Sequence, residues 1–196
     1  MTGRPDFFFP EGSVRDRIIV AATEVTSEKG WAKVTMGRLA DRVGVSRQTV
    51  YNEIGSKPAL AEAMILSELG RFLDLVGDAF DAEPDDVVAA VRHACRDVLA
   101  FAVDNTLLHA VVSASHGADT ELLPLLTTHS NALVETAKAV VTERVRVYDL
   151  PISDTRLTAV IDMVVRLVLS HVMQPSDTPE ATADGIAWIA ERVLRD

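Results

Sequence analysis

The stretch GVSRQTVYNEIGSKPAL, residues 44–60, decides the fold. It reads as a turn, a cap and a short helix, then a second turn, a second cap and the start of a longer helix. Gly44 ends one helix, since a residue without Cβ enters the left-handed region freely. Ser46 offers a side-chain oxygen to the unpaired amides of the next helix. Within that helix Val50 and Ile54 fall one turn apart on an inward face, leaving Arg47, Gln48, Tyr51 and Asn52 on the others. Gly55 closes it. Ser56 caps a long helix that carries Pro58 in its first turn, where a missing N–H costs little. Upstream, Thr35 caps a short helix through Val43 with Leu39, Ala40 and Val43 inward. Two short helices joined by a tight glycine-containing turn make a helix-turn-helix.

The pattern stays helical in both directions. Ser13 and Asp16 open a first helix with a capping-box pattern, and Val14, Ile18, Ala22 and Val25 recur about every four residues until Gly30. Residues 1–12, with two prolines, two glycines and Phe7-Phe8-Phe9, have no period and read as a flexible N-terminal arm. The fourth helix runs to about Phe80. Turn signals then divide the remainder into helices near 84–104, 107–115, 121–148, 154–173 and 179–195. No alternating strand pattern bounded by turns occurs, so the expected class is all-α: an N-terminal helix-turn-helix head and a larger helical body.

Composition narrows the function. The 196 residues are 48% hydrophobic, ample for a packed core, and carry a formal charge of −10. That charge is unevenly placed. Residues 1–60 hold nine basic side chains against seven acidic ones, while the other 136 hold ten against 22. Only the N-terminal part is suited to a polyanion, and the acidic remainder discourages non-specific adhesion to one. A lone cysteine, Cys95, forms no internal disulfide; with no signal-like N-terminus and no apolar run long enough to span a bilayer, the expected location is the cytoplasm, without a membrane partner.

The polar face of the third helix carries the chemistry. Arg47 can fork onto guanine O6 and N7, and Gln48 onto adenine N6 and N7, with Asn52 one turn further on the same side. Thr35, Thr49, Tyr51, Lys57 and the cap Ser46 suit phosphate oxygens, which fix register rather than sequence. A single recognition helix reads only a few base pairs, so specificity calls for a dimer whose two helices enter successive major grooves. The last two helices carry more apolar surface than one core face needs: Leu157, Ile161, Val164 and Val168, then Ile186, Ile189 and Val193. They form the expected dimer seam.

Residues 13–62 resemble the DNA-binding domain of the TetR family of transcriptional regulators. The resemblance rests on Gly30, Thr35, Gly44-Val45-Ser46, Thr49-Val50-Tyr51 and Ser56-Lys57, followed by Ala59-Leu60, in the family's order and spacing. Asn52, Glu53 and Ile54 depart from the family's usual residues after the tyrosine. Ile54 still suits the core, whereas Glu53 sets a carboxylate that phosphates repel unless Lys57 or Arg42 neutralises it or it accepts from a cytosine N4.

The resemblance implies a head over 13–56 and a ligand-binding and dimerisation domain over 57–196. It implies a homodimeric repressor on a palindromic double-stranded operator, released by a small-molecule effector; few charges interrupt the apolar helix faces, so the expected effector is hydrophobic or amphipathic. The expected effector pocket draws on Phe72, Leu99, Phe101, His109, Val112 and His116. No cofactor or metal site is expected: His109 and His116 lack a third ligand at a recognisable spacing. An enzyme is not expected either, since Ser113, Ser115 and Ser170 have no nucleophile elbow and no glycine-rich phosphate loop occurs. The alternatives are a helical protein-interaction scaffold, or a small-molecule-binding enzyme with an incidental helix-turn-helix.

Overall fold

A computed structural model describes residues 12–114 and 130–194. Among the described residues all regular structure is helical. The head comprises α1 (Val14–Lys29), a 3₁₀ turn (Trp31–Lys33), α2 (Met36–Val43) and α3 (Arg47–Ile54). The long α4 (Lys57–Ala82) leads into a body of α5 (Val87–Val103), α6 (Thr106–Ala114), α7 (Ser130–Val145), α8 (Asp154–Met173) and α9 (Pro179–Leu194). The Phe7-Phe8-Phe9 arm, His116 and the start of the helix expected over 121–148 lie outside the described residues. The expected helix 84–104 is shorter at Val87–Val103, because Asp86 takes the cap by accepting from the amides of Val88 and Ala89.

Short polar side chains set the helix starts. The oxygens of Ser13, Thr35, Ser46, Ser56 and Ser153 each accept an amide from the first turn that follows. Asn105 Oδ1 does the same for Leu108 at 2.8 Å, and Thr178 Oγ1 for Ala181 at 3.2 Å. Ser13 and Asp16 close the capping box, and the bonds from Ser13 lower the Asp16 pKa. Gly44, at φ 75° and ψ 37°, ends α2 in the left-handed region, where its amide and that of Val45 both return to the Ala40 carbonyl.

Two apolar centres result. In the head, Ile18, Val25, Leu39, Val50 and Leu60 are fully buried, drawn from α1, α2, α3 and the first turn of α4. Leu107 of α6 belongs to this same cluster. In the body α5 packs against both α4 and α9. Ala90, Ala94, Ala183, Ala187 and Ala190 are buried there, and such small side chains let the helix backbones approach closely. Tyr148 follows α7 and stacks edge-on against Phe80 at 6.1 Å while its hydroxyl donates to the Glu83 carbonyl at 2.8 Å. On α4, Gly77 makes room for the Arg144 guanidinium, which reaches across to Asp81; a Cβ at Gly77 would lie 2.9 Å from Arg144 Nη2.

Leu39→Ala should remove about 2–5 kcal/mol of stability by opening a void at a fully buried position, measured by chemical denaturation. Burial also pushes the Cys95 thiol up to about 12. Native protein at pH 8 should therefore hold only about one thiol in ten thousand as thiolate and resist a disulfide reagent until it unfolds.

Candidate nucleic-acid interface

The third helix presents the edge that the sequence predicts. Val50 and Ile54 are buried, while Arg47, Gln48, Tyr51, Asn52 and Glu53 are exposed. Ser46 Oγ accepts the Thr49 amide at 3.0 Å and lies 2.8 Å from Thr49 Oγ1, which orders the first turn. Gln48 Nε2 donates to Asn52 Oδ1 at 2.9 Å, so the two amides are mutually aligned before any base is met. The Arg47 guanidinium lies 5.8 Å from the Tyr51 ring centroid.

A shallow groove gathers Thr35, Arg47, Tyr51, Ser56 and Lys57 at the junction of α2, α3 and α4. The Lys57 ammonium sits 4.8 Å from the ring centroid of Trp31, a buried indole that fixes the direction of an otherwise loose cation. Trp31 escaped the sequence reading because its 3₁₀ turn carries no periodic signal. The first turn of α4 gives an anion fewer backbone donors than a helix start usually does. Pro58 has no N–H, and that of Ala59 is held by Ser56 Oγ at 3.2 Å.

Two arginines of α1 hold the helix pair from behind. The Arg17 guanidinium donates to the Val43 carbonyl at 2.6 Å, at the end of α2, and Arg15 donates to the Glu53 carbonyl near the end of α3. Cations at these carbonyls satisfy acceptors that helix ends leave unpaired and oppose the negative end of each dipole. No local pattern reveals them, since the partners lie 26 and 38 residues away.

The expected partner for Glu53 is not where the sequence reading put it. Arg42 is held by Glu28 and Glu24, at 3.0 and 2.8 Å, and the hydrogen bonds it donates to Glu28 raise its pKa. Among the described residues Glu53 has no ion pair. Arg38 is also engaged, donating to the Lys33 carbonyl at 2.6 Å. Both arginines serve the head itself.

The expected pocket residues separate. Leu99 and His109 line a cavity of about 110 Å³ with Val103, Leu108, His171 and Met173, between the α5–α6 turn and the α8–α9 turn. Phe72 and Phe101 face each other instead, edge to face at 4.9 Å, with the Arg71 guanidinium 4.8 Å from the Phe101 ring centroid. Both rings are half-buried across the α4–α5 contact and are absent from that cavity's lining. The Val112 side chain and His116 fall outside the described residues. The seam residues divide as well. Ile161 and Ile186 are buried within the chain's own body, Leu157, Val164 and Val168 pack half-buried against it, and Ile189 and Val193 are exposed. Exposed beside them are Trp188 on α9 and Met163, Leu169 and Met173 on α8.

A capped helix with a polar outer edge, seated on a partner helix and flanked by a cationic groove, defines a helix-turn-helix DNA-binding protein. Comparison with known families places it further. Residues 18–64 match the model of bacterial regulatory proteins of the tetR family, and residues 86–192 that of the bacterial tetracyclin repressor C-terminal domain. The chain belongs to the TetR family of transcriptional regulators, which bind DNA and small-molecule effectors and act as dimers.

The HTH-type transcriptional regulator AlkX of Mycobacterium tuberculosis is 28% identical over 92% of this chain and 83% of its own length. Among solved structures, the TetR family repressor AlkX from Dietzia sp., implicated in biodegradation of n-alkanes, superposes with a TM-score of 0.73 at 24% identity, covering 93% of this chain and 95% of that one. A TetR-family regulator from Mesorhizobium loti reaches 0.64 at 18% identity over 92% and 96%. No helix among the described residues is long and apolar enough to cross a membrane.

Arg17→Ala should destabilise the protein by about 1.5–3 kcal/mol in chemical denaturation, because a charge-assisted bond to a helix-end carbonyl is lost. Arg15→Ala, removing an exposed contact, should lower stability by less.

Proposed function

We infer that this chain is a repressor that binds a palindromic double-stranded operator as a homodimer and is released by a hydrophobic or amphipathic small molecule. The observation that carries the reading is the outward polar edge of α3, with Arg47, Gln48 and Asn52 exposed while Val50 and Ile54 anchor the helix. Arg47 and Gln48 read base edges in the major groove, and Asn52 holds Gln48 in register. Thr35, Ser46, Thr49, Tyr51 and Lys57 take phosphates on either side.

The same reading divides the chain into a head over 13–56 and an effector and dimerisation unit over 57–196. Two heads meet successive grooves about 34–36 Å apart, held by the exposed apolar residues of α8 and α9. Met163, Trp188, Ile189 and Val193, at 60, 59, 45 and 40% exposure, supply that seam; the buried Ile161 and Ile186 support it from within. Catalysis is not part of this function, and the protein works in the cytoplasm where its operator lies.

Selection of bound DNA from a random pool should recover a palindrome whose half-sites lie about one helical turn apart; recovery of unrelated sequences would contradict the reading. On that operator, joint replacement of Arg47 and Gln48 by alanine should abolish specific retardation with little change in thermal transition. Lys57→Ala should weaken binding to all sequences alike and shrink the slope of log affinity against log salt by about one unit.

A further inference from the structure

The cavity between the α5–α6 and α8–α9 turns has a chemistry that selects among apolar ligands. Its walls are mostly hydrocarbon, with His109, His171, Asp177 and Thr182 as the polar residues of the lining, and about 110 Å³ is somewhat smaller than an engineered cavity of about 150 Å³ that holds benzene. By proportion it encloses roughly four or five heavy atoms, so the hydroxyl end of a six-carbon alcohol lies at its mouth. His109 both lines this space and is exposed, so the cavity opens to solvent beside it.

The polar groups narrow the choice. His109 Nε2 lies 2.8 Å from the Val103 carbonyl oxygen, and a carbonyl oxygen only accepts. Nε2 therefore carries the hydrogen, and Nδ1 of the neutral ring is left as an acceptor that has no hydrogen bond among the described residues. Its complement is an O–H donor. A carboxylate offers acceptors alone and would also lie near Asp177, a residue of the same lining.

The position of the cavity links it to the head. Leu108 and His109 form part of the wall, and the adjoining Leu107 is buried in the head cluster. Thr106 Oγ1 lies 2.6 Å from Ser27 Oγ of α1, and Asn105, which caps α6, donates from Nδ2 to Glu68 of α4. Asn105 is buried and Glu68 nearly so. Anything that displaces the first turn of α6 acts on both α1 and α4.

We propose that this cavity is the effector site and takes an aliphatic alcohol, whose hydroxyl donates to His109 Nδ1 and whose chain fills the hydrocarbon walls. The assignment rests on the regulator reading above for its consequence, but not for the binding itself. Occupancy favours whichever arrangement of α6 gives the alcohol more room, and the heads follow to the extent of that preference.

The test titrates the full chain with 1-hexanol, 1-chlorohexane and hexanoate, read by calorimetry and ligand-detected NMR. Saturable binding of 1-hexanol is expected, at least tenfold tighter than 1-chlorohexane, which has nearly the same shape without a donor, or hexanoate. Ala102→Phe, which fills the cavity, should abolish it; Thr182→Trp, at a half-exposed lining position, does the same should the first variant fold poorly. His109→Phe should reduce 1-hexanol to the level of 1-chlorohexane. A photoreactive aliphatic alcohol should label residues 99–109 and 171–182.

1-Dodecanol, whose chain is too long for this cavity with its hydroxyl at His109, should not compete, and competition by it overturns the assignment of the hydroxyl to His109. Equal binding of all three probes, unchanged binding by the filled variants, or labelling elsewhere overturns the proposal. On the selected operator, 1-hexanol should release wild-type protein and not Ala102→Phe; bound alcohol without release removes the effector role. Failure to select any DNA refutes the regulator reading while the titration still decides the cavity.

Discussion

An eight-residue helix does not hold its shape alone: isolated helices shorter than about 12–15 residues are marginal in water. The outer edge of α3 is therefore ordered only because its inner edge is buried. Val50 is fully buried beside Ile18, Leu39 and Leu60, and Ile54 closes the other end. Ser46 holds the first turn and Arg15 the last. Arg47, Gln48, Tyr51 and Asn52 are exposed on a framework whose stability comes from the opposite face, a separation that lets the outer edge vary without unfolding the helix.

Charge is managed within a few ångströms rather than across the molecule. Arg42 is held between Glu24 and Glu28, Arg17 and Arg38 donate to backbone carbonyls, and Arg15 joins them. The basic excess of the first 60 residues is thus partly consumed in building the head. Arg47 and Lys57 line the groove, each set against an aromatic ring that restrains a side chain otherwise rich in rotamers.

The elements legible in the sequence were those written locally. The caps Ser13, Thr35, Ser46 and Ser56, the left-handed Gly44 and the four-residue spacing of Val50 and Ile54 all act within one or two turns, and the head follows from them. What depends on distant pairing was not legible. Arg17 meets Val43 and Arg15 meets Glu53 through the tertiary fold, and Arg42 turns to α1 rather than towards Glu53. The pocket suffered for the same reason. Phe72 and Phe101 are aromatic residues on the expected helices, but they satisfy each other, while His171 and Met173 reach the cavity from the last turn of α8, and a helical period does not tell which other elements that end meets. On the last two helices apolar pattern alone could not separate the inward Ile161 and Ile186 from the outward Trp188.

The membership of Leu107 in the head cluster has a consequence for modularity. Grafting this head onto the body of another regulator would leave a vacancy among Ile18, Val25 and Leu60 unless the recipient's sixth helix brought an aliphatic side chain of matching volume to the same place. Exchange of heads between such proteins is thereby limited to bodies that share one steric key, and reading heads and sensing bodies are expected to diverge together along the lineage rather than by free recombination.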